Sequence, residues 1–172
     1  MMDSKNKNIL IGGLLAIILV MAVGYAAFAT QLQINGTATI TSNWDVHITS
    51  ITPGTPVNGA VHNSASVAPD GLSATFNTSL VAPGDSLTYT VVVTNAGSLD
   101  AKLSGLTFTP ADPSHAITYS YTGILLNDVI DAVGGGTNTK TFTITVTYDP
   151  SVTEQPAILT NTVTMTLNFV QA

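Results

Sequence analysis

Residues Pro83 to Asn95 read PGDSLTYTVVVTN. Pro83-Gly84-Asp85 has turn chemistry, because proline presets one corner and glycine permits the positive φ of the other. After it Leu87, Tyr89, Val91 and Val93 alternate with Thr88, Thr90, Val92 and Thr94. A period of two places one set of side chains in a core and the other in water, as in antiparallel sheets rather than doubly covered parallel ones. Thr suits the wet positions because it is β-branched.

The same unit recurs at Gly136–Thr147, GTNTKTFTITVT, with Phe142, Ile144 and Val146 in the apolar register. Each unit is too short to fold alone, so the pair reads as two strands of one domain. Alternation also marks Leu32–Ile40, Trp44–Ile48, Leu72–Phe76 and Val163–Phe169. Between these runs lie Thr52-Pro53-Gly54, Asn58-Gly59, Pro69-Asp70-Gly71, Asn95-Ala96-Gly97 and Gly134-Gly135-Gly136. Strands and turns at such spacing predict an all-β fold, a single antiparallel β-sandwich of jelly-roll or immunoglobulin-like type over residues 30–172. The best internal helix candidate, Ile124–Val133, is a short excursion between strands.

Residues 1–29 differ in kind. Lys5 and Lys7 precede Ile9–Ala29, a run without charge that is long enough to cross a bilayer. Ala27-Phe28-Ala29 puts small residues where a signal peptidase needs them, so Ala27, Ala29 and Thr30 mark the expected cleavage site. The segment reads as a secretory leader, or as a membrane tether if uncut. Either way the positive flank places the rest of the chain outside the cytoplasm. The strand that follows carries Leu32, Ile34, Gly36, Ala38 and Ile40 on one face. Alternation does not say whether it joins its own sheet or a neighbour's.

Composition narrows the partners. Only 8% of residues are charged, against about a quarter in average proteins. Beyond residue 29 there are nine acids, two lysines (Lys102 and Lys140) and no arginine. No basic face for nucleic acid can be assembled from these. The absence of cysteine excludes disulfides, thiol catalysis and Cys-based zinc sites. A weakly charged Ser/Thr/Asn surface favours packing against copies of itself.

No nucleophile motif, P-loop, dinucleotide fingerprint or HExxH is present, so no catalytic role and no cofactor are expected. His47, His62 and His115 are expected to be solvated surface residues. Asn127, Asp128 and Asp131 offer calcium-type oxygens, although a polar loop explains them without repeat spacing. Lys140 shares parity with Phe142 and Ile144 and is expected to snorkel at its strand's start. Beside an inward Asn or Asp it would have the partner for an isopeptide bond. Asn35 and Asn77 lie in glycosylation sequons on wet positions. Trp44, Tyr119 and Tyr121 are the aromatic candidates for a carbohydrate- or protein-binding surface.

The leader, with Gly24-Tyr25-Ala26-Ala27-Phe28, resembles the signals cut by the dedicated peptidase SipW. Ala82-Pro83-Gly84-Asp85 through Asn95, Gly97–Leu103, and the tail from Tyr148-Asp149 to Gln171 are similar to the TasA/camelysin family. The resemblance implies a secreted jelly-roll-type sandwich that polymerises into extracellular biofilm-matrix fibres. Its N-terminal strand would be donated to a neighbouring subunit. It further implies a membrane-tethered precursor, a signal peptidase as processing partner, and self or accessory matrix proteins as assembly partners. The metallopeptidase activity described for camelysin has no zinc-peptidase motif here to carry it. Pro83–Asn95 also resembles immunoglobulin-like repeats of bacterial surface proteins. The alternative is therefore a non-polymerising cell-surface adhesive or stalk module.

Overall fold

A computed structural model describes residues 4–28, 34–112 and 115–172. The chain divides into two units, residues 1–40 and 41–172. In the first, α1 spans Ser4–Phe28, and its large apolar residues from Ile9 to Met21 are exposed. Among the described residues it is the one helix long and apolar enough to cross a membrane. Ala27 lies within α1. Ala29, Thr30 and Leu32 lie outside the described residues.

The second unit is an antiparallel β-sandwich, as its alternation implies. Its strands are β1 (Val46–Pro53), β2 (Val61–Val67), β3 (Ala74–Ser79), β4 (Ser86–Asn95), β5 (Ala101–Pro110), β6 (Ile117–Thr122), β7 (Val129–Ile130), β8 (Thr139–Tyr148) and β9 (Val163–Gln171). One layer is a four-stranded sheet in the order β1-β4-β8-β6. The other consists of the β2-β3 hairpin and the β7-β5-β9 sheet, which share no ladder.

The two repeated sequence units are neighbours. β4 pairs with β8 from Ser86↔Thr147 to Thr94↔Thr139, stacking Leu87 on Val146, Tyr89 on Ile144 and Val91 on Phe142. These six side chains are buried and form the centre of the core. On the outer face Thr88 and Thr145 hydrogen-bond at 2.8 Å, a cross-strand pair that aligns the two strands.

Two buried polar residues finish the ends of β4. At one end the Asp85 carboxylate accepts the backbone N–H groups of Gly59, Val81 and Ala82. This explains the Pro83-Gly84-Asp85 signal: Gly84 takes φ +92°, and Asp85 closes the loop around itself. At the other end the Asn95 amide donates to the Leu99 and Ile130 carbonyls, while its oxygen accepts Gly97 N–H. Asn95 thereby ties the first sheet to β7 of the second.

Several expectations need correction. The strand expected over Leu32–Ile40 is absent from its described part. Residues 34–45 belong to no strand, and Ile34 and Ile40 are 92% and 93% exposed. Alternation supplied a face, but among the described residues no strand ladder includes residues 34–40. Ile124–Val133 is, as expected, a short excursion between longer strands, and it contains β7 between turns. Trp44 and Leu72 lie just outside β1 and β3.

Candidate functional site

The second layer is interrupted. Among the described residues β3 pairs only with β2, and β9 only with β5, so each has an edge without a ladder. Between them runs an open groove. Two adjoining stretches of about 480 and 380 Å³ share Ala74, Phe76 and Val163 in their lining. The walls are Ala74–Thr78 of β3 and Val163–Leu167 of β9. The floor is the inner face of β4 and β8, with Val91, Val93, Phe142, Ile144 and Val146.

The groove joins the two ends defined by Asn95 and Asp85. Its Asn95 end is lined by Val46, Gly71 and Phe169. Its Asp85 end is lined by Leu80, Ile117 and Leu159. β3 therefore runs from the Asn95 end toward the Asp85 end, and β9 runs the other way. The walls are antiparallel to each other.

Burial shows what the gap costs the core. Leu87, Tyr89, Val91 and Val93 on the floor strand are fully buried, whereas Ala74 and Phe76 of β3, and Val163, Met165, Leu167 and Phe169 of β9, are only half-buried. In a closed sandwich the inward residues of both sheets interdigitate. Here those of β3 and β9 lack a strand between them.

Tyr89 fixes the β3 wall. From the floor it packs against Phe76, with ring centroids 4.5 Å apart. Its hydroxyl donates to the Asn77 carbonyl (3.1 Å) and meets Thr78 Oγ1 at 2.7 Å and His62 Nδ1 at 3.1 Å. Burial pushes the Tyr89 hydroxyl above its ordinary pKa, against the Thr78 hydrogen bond. On the β9 side Asn161 Nδ2 donates to the Asp112 and Ile117 carbonyls, and Tyr119 hydroxyl donates to the Asn161 carbonyl.

The histidines divide. His47 is half-buried against Asp45 at 2.7 Å. His62 is half-buried on Tyr89. His115, expected at the surface, is 8% exposed. Its Nδ1 accepts Ile117 N–H (2.9 Å), leaving Nε2–H to donate to the Ile158 carbonyl (2.7 Å). The local sequence gave no sign of this, because the partner lies 43 residues away. No cluster of three metal-ligating residues occurs among the described residues.

The acidic loop has structural partners. Asp128 Oδ2 accepts Leu125 N–H (2.8 Å) and pairs with Lys140 Nζ at 2.8 Å. Asp131 Oδ2 accepts Thr137 N–H. Asn127 adopts φ +74°, as asparagine in a turn can. Lys140 of β8 thus meets an Asp, the residue just before β7. Burial works to raise the Asp128 carboxyl. The Lys140 hydrogen bond, the Leu125 N–H and the Lys140 charge outweigh it and hold the group below its ordinary pKa. Both side chains are about a quarter exposed (29% and 25%), which suits a solvated ion pair.

The three aromatic candidates for a binding surface, Trp44, Tyr119 and Tyr121, are placed differently from one another. Tyr119 and Tyr121 belong to β6, not to loops, and pack on the core; Tyr121 lies 4.8 Å from Phe108. Trp44 alone is exposed. Asn35 and Asn77 are both exposed, and Asn77 Oδ1 accepts from Asn63. No family model, curated protein or solved structure matches this chain.

Proposed function

We propose that this protein is a secreted structural subunit that polymerises by strand donation, residues 34–40 of one copy completing the open sheet of another. The resemblance to TasA/camelysin-type matrix proteins suggests extracellular fibres of a biofilm or cell surface as the product. One observation carries the reading. The groove has two unpaired edges and an apolar floor, while a segment of matching alternation stands exposed and unpaired in the same chain.

The chemistry of the fit is β-augmentation, in which backbone hydrogen bonds supply affinity and alternate side chains supply specificity. Ile34 and Ile40 would enter the core with Ala38. Each isoleucine removed from water contributes about 1.5–3 kcal/mol before ordering costs. Gly36 leaves room for close approach to the floor. Groove and arm contain no constellation for chemistry, and the α1 segment serves delivery as leader or tether. Donation from a tethered precursor would begin once cleavage near Ala29 releases the arm.

The test uses residues 30–172, which contain every strand and the arm. That chain should form fibres in electron micrographs. A chain beginning at Thr41 should stay monomeric, and a synthetic peptide of residues 31–42 should raise its melting temperature. Fibres from the shortened chain, or a peptide without effect, would remove the donor role.

A further inference from the structure

The chain contains two Asn-Gly pairs, Asn35-Gly36 in the arm and Asn58-Gly59 in the turn before β2. Such a pair is open to self-modification, because glycine has no side chain to keep its nitrogen from the asparagine amide. We infer that the two pairs have opposite fates: Asn35 converts spontaneously to isoaspartate and aspartate, while the fold protects Asn58.

The conversion needs water alone. The Gly36 nitrogen yields its proton to solvent and attacks Asn35 Cγ. A Cγ–N bond forms, the Cγ–Nδ2 bond breaks, and the side-chain amide leaves as ammonia. Water then opens the cyclic imide. Opening at Cγ gives aspartate. Opening at the main-chain carbonyl gives isoaspartate, whose backbone runs through Cβ and Cγ. The reaction therefore requires a glycine nitrogen free to lose its proton and an asparagine side chain free to swing onto it.

Exposure does not separate the pairs, since Asn35, Gly36, Asn58 and Gly59 are all exposed. Hydrogen bonding does. Gly59 N–H donates to Asp85 Oδ1 at 3.0 Å, so a carboxylate holds the proton that has to leave and opposes the charge left behind. Asn58 Nδ2 donates to the Gly84 carbonyl at 2.9 Å, which fixes the amide. Asn58 itself is set at φ +54° in a turn closed by Ala60 N–H on the Val57 carbonyl. Among the described residues none hydrogen-bonds Asn35 or Gly36, and a Cβ at Gly36 would meet nothing within 4 Å.

The consequence rests on the strand-donation reading. Residues 30–42 carry no charge. Conversion puts a carboxylate into their middle, and isoaspartate adds a main-chain atom at position 35. That atom breaks the period of two that keeps Leu32 and Ile34 on the face of Ala38 and Ile40. An arm left unpaired would lose its fit with time. An arm seated in a sheet, with its amides bound in ladders, would be protected as Asn58 is.

The test follows both sites by peptide mass in the full chain, held in detergent micelles and aged at mildly alkaline pH. Conversion at Asn35 should outrun that at Asn58 by about tenfold or more, the rate equivalent of one charge-assisted hydrogen bond. In denaturing urea the two rates should converge. Equal rates in the native chain, or no conversion at Asn35, overturn the inference. A difference that persists in urea overturns it too, because local sequence rather than the fold would then be the cause. Asn35→Gln, whose longer side chain closes the imide poorly, should abolish conversion in the arm. The consequence is read with synthetic peptides of residues 31–42 added to a chain beginning at Thr41. The peptide with Asn35 should raise the melting temperature, and the peptide with isoaspartate at position 35 should lose that effect. Equal shifts from both overturn the consequence. No shift from either refutes strand donation itself and does not bear on the chemistry at Asn35, which the peptide masses decide.

Discussion

Asn43 and Ser98 hold each other three times: Ser98 Oγ accepts Asn43 N–H at 2.8 Å, and the Asn43 carbonyl accepts Ser98 N–H at 2.9 Å and Ser98 Oγ–H at 3.4 Å. With Ala96 N–H donating to the Asp45 carbonyl, this clasp fixes the first residues of the sandwich before β1 begins. Among the described residues, the segment 34–42 that precedes it belongs to no strand. On the proposed reading, the clasp would set the length of chain available for donation.

Gly97 makes the clasp possible. A Cβ there would lie 2.6 Å from the Asn43 carbonyl oxygen and 2.9 Å from Asp45 N, both backbone atoms. Gly97→Ala should destabilise the domain by about 1–3 kcal/mol, the usual range for overpacking. Amide exchange should accelerate at Ala96 and Ser98. An unchanged urea midpoint would show that the loop relaxes without loss.

Tyr89→Phe keeps the ring against Phe76 and removes the hydroxyl that joins Asn77, Thr78 and His62. The loss should be about 1–2 kcal/mol, from buried groups left without a partner. Chemical denaturation measures it. A substitution that costs nothing would mean that water replaces the hydroxyl.

Asp85 gives a pH signature. Backbone N–H groups of Ala82, Gly59 and Val81 hold its carboxyl below the ordinary aspartate value. A depressed folded pKa contributes stability above the unfolded value of about 3.9, and that stability is lost as pH falls through the folded value. Asp85→Asn should lower the melting temperature at pH 7 and flatten its decline below about pH 4. Parallel curves for the two proteins would contradict this assignment.

Lys140 and Asp128 should behave as an ion pair. A double-mutant cycle with Lys140→Met and Asp128→Asn should give a coupling of about 1 kcal/mol or less, reduced by salt, as partly exposed pairs do. Intact mass should equal that of the unmodified chain. A deficit of one water would instead reveal an amide between the two side chains.

The legible parts of the fold were those where burial follows parity without interruption. β4, β8 and β9 alternate cleanly, and all were evident. β5 was not, because its register shifts between Leu103 and Gly105, which moves Leu106 and Phe108 onto the parity of the core. β2 was hidden for a similar reason, a shift between His62 and Ser64 in a strand of few apolar residues. β6 carries Ile117, Tyr119 and Tyr121 in register, a signal that was present and read instead as loop aromatics.

By itself the sequence determined the apolar helix, the all-β class, the two matching central strands and the alternating face of the arm. These depend on the order of apolar and polar residues along the chain, which is a local property. Tertiary structure decided that β4 and β8 pair with each other, that His115 is buried, that Lys140 meets Asp128, and that a groove opens between β3 and β9. Each of these depends on which distant segments lie side by side. Alternation gives a strand a wet face and a dry one, but backbone hydrogen bonds at an edge accept any partner. Only the assembled sheet shows which edges are left without one.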